Sequence, residues 1–118
     1  MAPKRREYYR KKRASDPLYR LRTNIRSSLY KSFKRIGQKK PTNTFLLLGA
    51  SYDVVRKHIE DRFTEGMSWE NYGQWDIDHI HPLITAKTED ELRRLCHYSN
   101  LQPLWEIDNI LKGSKIAA

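Results

Sequence analysis

The sequence predicts an α+β fold, and three observations carry that reading. Leu18, Leu21, Ile25, Leu29, Phe33 and Ile36 recur at steps of three or four, the stripe of an amphipathic helix. Residues 75–83 and 101–105 are short runs of strand-forming residues, the first closed by Pro82. Helix-start signals, Asp16-Pro17 and Thr88 with Glu91, stand before the helical segments. The 118 residues suit one folded unit at 15–118 behind a short basic arm at 1–14.

Taken in order, residues 1–14 hold seven cations and the adjacent Tyr8 and Tyr9. They read as a flexible arm, or as a helix that forms on binding. Asp16 and Pro17 open a helix over 15–37 whose apolar stripe faces the body. Gly37 is placed to end it. Residues 38–44 form a loop, and 45–48 a short buried segment, strand or helix start. Ser51 can cap a second helix to about Phe63, with Val54, Val55, Ile59 and Phe63 inward. Residues 64–74 are loop-like, with turns at Gly66 and Gly73 and Trp69 as a core plug. The 75–83 strand follows. Thr88 and Glu91 form a capping box for a helix over about 89–97. Residues 101–105 give the second strand, and 106–113 a short closing helix.

Charge is distributed unevenly. Of the 23 Lys and Arg, 15 lie in residues 1–40 against only Glu7 and Asp16, whereas 41–118 is mildly acidic. Such an N-terminal concentration favours a polyanion, because neutralising phosphates releases condensed counterions. The candidate nucleic-acid contacts are Lys4, Arg5, Arg6, Arg10, Lys11, Lys12 and Arg13 in the arm. Arg20, Arg22, Arg26, Lys34 and Arg35 extend them along the helix, mostly off its apolar stripe. Contacts of this kind position a protein on a duplex without reading its bases. No apolar run approaches the ~18 residues of a membrane span, so no membrane partner is expected. The basic N-terminus lacks the apolar stretch of a secretory signal. A single cysteine, Cys96, excludes a disulfide framework and a Cys-based zinc finger within the chain, and suits a reducing intracellular setting. Lying beside Leu92 and Leu95, it reads as a buried thiol. The three tryptophans read as core residues, and Tyr8 and Tyr9 as better candidates for base stacking.

The chemistry-bearing residues gather elsewhere. Residues 75–113 hold Asp76, Asp78, His79, His81, Asn100, Asn109 and Lys112. Neighbours on a regular strand point to opposite faces, so Asp78 and His79 can share a site only if the chain bends or bulges near His79. Lys112 lies three residues after Asn109 and shares its helix face, as a phosphate contact or a solvated lysine. A zinc site from His79, His81, Cys96 and His97 has the right donor types. It matches no familiar spacing and leaves Asp78, Asn100 and Asn109 unexplained.

Asp78-His79, then Asn100, then Asn109 resembles the HNH motif of the ββα-metal (His-Me finger) nucleases. The string 76–82, DIDHIHP, is similar to the first strand of that motif, including the version in RNA-guided CRISPR nucleases. Asn100-Leu101 matches the middle element, and Asn109 with Lys112-Gly113 the last helix. From about Leu46 onward, with WENYG and CHYSNLQPLW, the chain resembles stand-alone HNH endonucleases common in phage genomes. The paired cysteines that hold a structural zinc in much of that family are absent, so packed aromatics and the 89–97 helix would have to support the hairpin instead.

The resemblance implies a ββα-metal hairpin plus helix preceded by two N-terminal helices, and phosphodiester hydrolysis in double-stranded DNA. In it His79 is the general base, suited to the task by an imidazole near its ordinary pKa of about 6.5. Asp78 and the amide oxygen of Asn109 bind one divalent cation, Mg²⁺ or in its place Mn²⁺, with no structural zinc. Asn100 braces the loop between the strands and so orients the histidine. Asp76, His81 and Lys112 are candidate supporting residues. The products implied are 3′-hydroxyl and 5′-phosphate ends, from a monomer or weak dimer in the cytoplasm of a bacterial host, encoded by phage. Two other functions fit the same charge pattern: a non-catalytic nucleic-acid-binding module, and a ribonuclease or nuclease toxin using the same site.

Overall fold

The computed structural model describes residues 2–113 and 115. Met1, Ser114 and residues 116–118, at the ends of the expected arm and domain, lie outside them. In chain order the elements are α1 (Ala2–Ser15), α2 (Pro17–Arg35), α3 (Thr44–Leu48), α4 (Tyr52–Glu60) and β1 (Trp75–His79). A 3₁₀ turn at Leu83–Thr85, α5 (Glu89–Leu95), a second 3₁₀ turn at Tyr98–Asn100, β2 (Leu101–Trp105) and α6 (Glu106–Lys112) complete it. Among the described residues the architecture is α+β: six helices around a two-stranded antiparallel sheet.

Helix α2 forms where its signals place it. The Asp16 carboxylate accepts the Tyr19 backbone N–H at 3.1 Å, a cap worth about 1 kcal/mol. Leu21, Ile25, Leu29 and Phe33 are buried, and α2 packs on α4 and α5. Of the arm expected at 1–14 as flexible or as a helix that forms on binding, the described residues are helical, in α1 (Ala2–Ser15). Tyr9 of α1 stacks on Tyr19 of α2, and the Lys12 ammonium lies 4.9 Å from the Tyr19 ring centroid.

The core joins that stripe to Leu47, Leu48, Val55, Ile59, Trp75, Leu92, Cys96 and Leu101. Three expectations are corrected. Residues 45–48 are helical, so only Leu47 and Leu48 reach the core, while Phe45 and Leu46 stay exposed. Val54 faces solvent, because the inward stripe of α4 is Val55, His58 and Ile59. The tryptophan that plugs the core is Trp75, fully buried among Phe63, Trp69 and Tyr72, with its indole N–H donating to the Ser68 carbonyl. Trp69 is only half-buried beside it, its N–H held by Glu60.

The strands pair residue for residue: Trp75 with Trp105, Asp76 with Leu104, Ile77 with Pro103, Asp78 with Gln102 and His79 with Leu101. The connection between them contains α5. There the Thr88 hydroxyl caps the Glu91 N–H, while the Glu91 carboxylate accepts from Lys87, one residue earlier than a regular capping box.

His58 ties α4 to β2. Its Nε2–H donates to the Leu101 carbonyl at 2.8 Å, and its ring meets Tyr98 edge-on. Burial lowers its pKa below the ordinary 6.5, the Leu101 hydrogen bond opposing. The folded state therefore resists protonation more than the unfolded chain does. Its contribution to stability is complete above about pH 6.5 and falls as the pH drops through that value toward the lower folded pKa. Urea unfolding of His58→Gln is expected to show a flatter stability profile below pH 6.5 than the parent; parallel profiles would assign the acid loss to other groups.

Candidate active site

The residues with reactive side chains meet at the end of β1. Alternation along the strand sends His79 toward α2 and Asp78 to the other face. His79 shares a cavity of about 60 Å³ with Asn24, Ile25, Ser28, Tyr72 and Ile77. Asp78, only 8% exposed, meets its register partner Gln102, whose Nε2 donates to Oδ2 at 2.8 Å. It also meets Lys112 of α6, whose Nζ lies 3.1 Å from Oδ1 and 3.0 Å from Oδ2. The same ammonium donates to the His79 carbonyl at 2.8 Å.

Of the bend or bulge expected near His79, no bulge is found, and the chain bends just after it, at Ile80 and His81. Pairing is regular through His79, and the Ile80 N–H continues it to the Asn100 carbonyl at 2.8 Å. The two faces meet because the strand ends there. Asp78, His79, Lys112 and Gly113 line one cleft of about 250 Å³ together with Ser28 and Ser32 of α2.

Burial pulls the His79 imidazole down to about 4; Asp78 opposes this and Lys112 adds to it. At pH 7 the ring is neutral, able to accept a proton. Carboxylate, imidazole and ammonium thus lie within electrostatic reach of one another.

Asn100 forms a three-way clamp. Its Oδ1 accepts the His81 N–H at 2.9 Å, and its Nδ2 donates to the carbonyls of His81 at 3.0 Å and Leu95 at 2.9 Å. It thus fixes the loop that leaves β1, two residues from His79. Asn109 lies one turn before Lys112 on α6, half-buried, and is not among the residues lining the cleft. The α6 side chain that reaches Asp78 is Lys112.

Asp76 does not join Asp78. Burial raises its pKa, with Arg20 opposing and Glu106 adding. His81 lines a different cleft of about 470 Å³, with Thr85, Glu91 and Arg94. The alternative zinc set is also dispersed. His97 is exposed beside Ser99, and burial raises the Cys96 thiol to about 11. Among the described residues no three His, Cys, Asp or Glu side chains gather around a common point.

The expected nucleic-acid contacts divide. Lys4, Arg5, Arg6, Arg10, Lys11, Arg13, Arg22, Arg26 and Lys34 are exposed, and Lys12 is half-exposed. Half-buried Arg20 and exposed Arg35 also make hydrogen bonds within the fold. Arg20 donates to the Tyr72 carbonyl at 2.7 Å, and Arg35 to those of Leu83 and Ala86 at 3.1 and 3.2 Å. Sequence reasoning missed Gln102, Ser28, Ser32 and His58. Only His58 left a signal: it falls on the apolar stripe of α4. Gln102 becomes visible only once the strand register is known.

Asn100→Ala removes three hydrogen bonds and leaves two backbone groups of His81 without their partners. A loss of about 1–3 kcal/mol in urea unfolding is expected. A change under about 0.5 kcal/mol would mean that water satisfies those groups equally well.

No family model matches the chain, and no solved structure matches it. Two curated relatives come from Acanthamoeba polyphaga mimivirus. "Uncharacterized protein L426" is 36% identical over 106 residues, covering 87% of this chain and 46% of that protein. "Uncharacterized protein L246" is 30% identical over 107 residues, covering 88% of this chain and 46% of that protein. Among the described residues no helix is long and apolar enough to cross a membrane. The chain is thus similar to a stretch of two viral proteins and spans about half the length of each.

Proposed function

We propose that the protein is a metal-dependent endonuclease that hydrolyses phosphodiester bonds in double-stranded DNA, with β1, β2 and α6 as its ββα-metal unit. The observation that carries this reading is the cleft at the end of β1, where Asp78, His79 and Lys112 line one wall. The basic residues of α1 and α2 supply the electrostatic footprint for a polyanion.

His79 is the general base. With its pKa at about 4, not the ordinary 6.5 expected from the sequence, it is neutral at cellular pH but a weaker base than a free imidazole. A phosphodiester anion entering the cleft favours the imidazolium and so strengthens the base as substrate arrives. Asp78 fits a hard cation by donor type, and it already holds a cationic group, the Lys112 ammonium, at 3.0 Å. The amide oxygen of Asn109 is the second donor proposed. When bound there, one divalent cation, Mg²⁺ or Mn²⁺, would supply Lewis-acid charge for the hydrolysis. Gln102 holds Asp78 Oδ2 in place, and the Asn100 clamp keeps the loop after His79 from swinging. Lys112, once released from Asp78, is placed to pair with a phosphate in the same cleft.

The Lys112–Asp78 pair also favours a second reading. If the carboxylate stays paired with lysine, the protein binds nucleic acid without cutting it.

Supercoiled plasmid with Mg²⁺ or Mn²⁺ is expected to become nicked or linear. His79→Ala should lower the rate at least about 100-fold while DNA affinity stays close to unchanged. Cutting that survives His79→Ala would overturn the mechanism, and salt-sensitive binding with no cutting by the parent would favour the binding module. Lys112→Met leaves the buried Asp78 charge uncompensated, so the variant should melt lower without metal. Its Tm should then rise more than the parent's when Mn²⁺ is added, by mass action on the folded state. An equal or smaller rise would show that no cation competes with Lys112 for Asp78.

A further inference from the structure

An open cleft of about 380 Å³ lies between α1 and α2, lined by Arg10, Arg13, Arg20 and Asn24. No carboxylate is among its lining residues. Arg10 and Arg13 are exposed and three residues apart, so they share one face of α1. Arg20 is held in place across the cleft, its guanidinium 4.6 Å from the Tyr72 ring centroid. Asp76 lies within electrostatic reach of Arg20, but three clustered guanidinium groups still repel one another, and a polyanion relieves that repulsion.

Asn24 borders a second space as well. The same residue walls the 60 Å³ cavity that contains Ser28 and His79, and Ser28 in turn lines the 250 Å³ cleft at the end of β1. Arg20, Asn24, Ser28 and Ser32 follow one another at steps of four, along a single face of α2. At 1.5 Å per residue that face runs about 18 Å. The opposite flank of α2 has its own cleft of about 470 Å³ with Arg22 and Arg26, but it shares no lining residue with either cavity containing His79.

We infer that one strand of the DNA runs along the Arg20–Ser32 face of α2, from the arginine cleft to His79, and that the Arg22/Arg26 flank does not carry it. Guanidinium forks at one end and the Ser28 hydroxyl along the track suit phosphate oxygens and leave bases unread, while the Asn24 amide donates to the Tyr72 hydroxyl at 2.8 Å. The inference rests on the nuclease reading only for what happens at its far end.

The test measures binding of a fluorescent DNA duplex to His79→Ala protein in chelator, so no cutting intervenes. Arg10→Glu/Arg13→Glu is compared with Arg22→Glu/Arg26→Glu, which changes net charge equally. The first pair is expected to weaken binding about tenfold or more and to flatten the log K against log salt slope by about 2, close to 0.9 per lost phosphate contact. The second pair should cost less than about threefold. Equal losses, or a larger loss from the second pair, would overturn the track. Arg10→Lys/Arg13→Lys keeps both charges and should bind like the parent; a loss as large as the reversal pair's would show that packing had been removed and would also overturn it. Because binding is read without catalysis, this outcome is independent of the plasmid assay, on which the nuclease reading stands or falls.

Discussion

The burial of one helical stripe organises the molecule. Leu21, Ile25, Leu29 and Phe33 of α2 are each at most 3% exposed, packed into a core shared with α3, α4, α5 and both strands. Burying each of those four side chains stabilises the fold by about 1.5–3 kcal/mol. It also sets the helix's rotation. With the stripe inward, Asn24, Ser28 and Ser32 fall beside β1, and Arg22 and Arg26 fall on the far flank. Arg20 and Arg35 are then drawn to backbone carbonyls at 72, 83 and 86, bracing the turn and the loop on either side of the site.

Within that frame the site depends on how β1 ends. A regular strand separates Asp78 from His79, and the unbroken register with β2 shows that it does. They reach one cleft because the chain turns away immediately afterwards, under the Asn100 clamp, and exposes the strand's end to α2 and α6. Three elements far apart in sequence therefore set the chemistry of two adjacent residues. Asp78 is held by Gln102 and Lys112, and His79 is desolvated against α2, which keeps its imidazole neutral far below its ordinary titration range.

Legibility followed the range of the interaction. The Asp16 and Ser51 caps, the α2 stripe and β2 were readable because each is set by neighbours within a few residues. The bracing role of Asn100 was anticipated from resemblance, and its side chain does hold the loop after β1, through the backbone of His81. Val54, Phe45 and Trp69 were misread for one reason. An apolar side chain near an element's edge can face either way, and its partners decide which. The pairing of Lys112 with Asp78 had no local trace, since 34 residues separate them.

The sequence by itself determined where helices and strands begin, which residues could carry chemistry, and that the positive charge sits apart from them. Those properties depend on local backbone preference, period and composition, all contained in short windows. Tertiary structure alone decided which arginines remain free, which tryptophan fills the core, and which partner meets each face of β1. It also moved His81 and Asp76 away from the His79 cleft and brought Lys112, rather than Asn109, to the carboxylate of Asp78. Such outcomes depend on the relative placement of packed elements, which is set by the whole core and by no single stretch of chain.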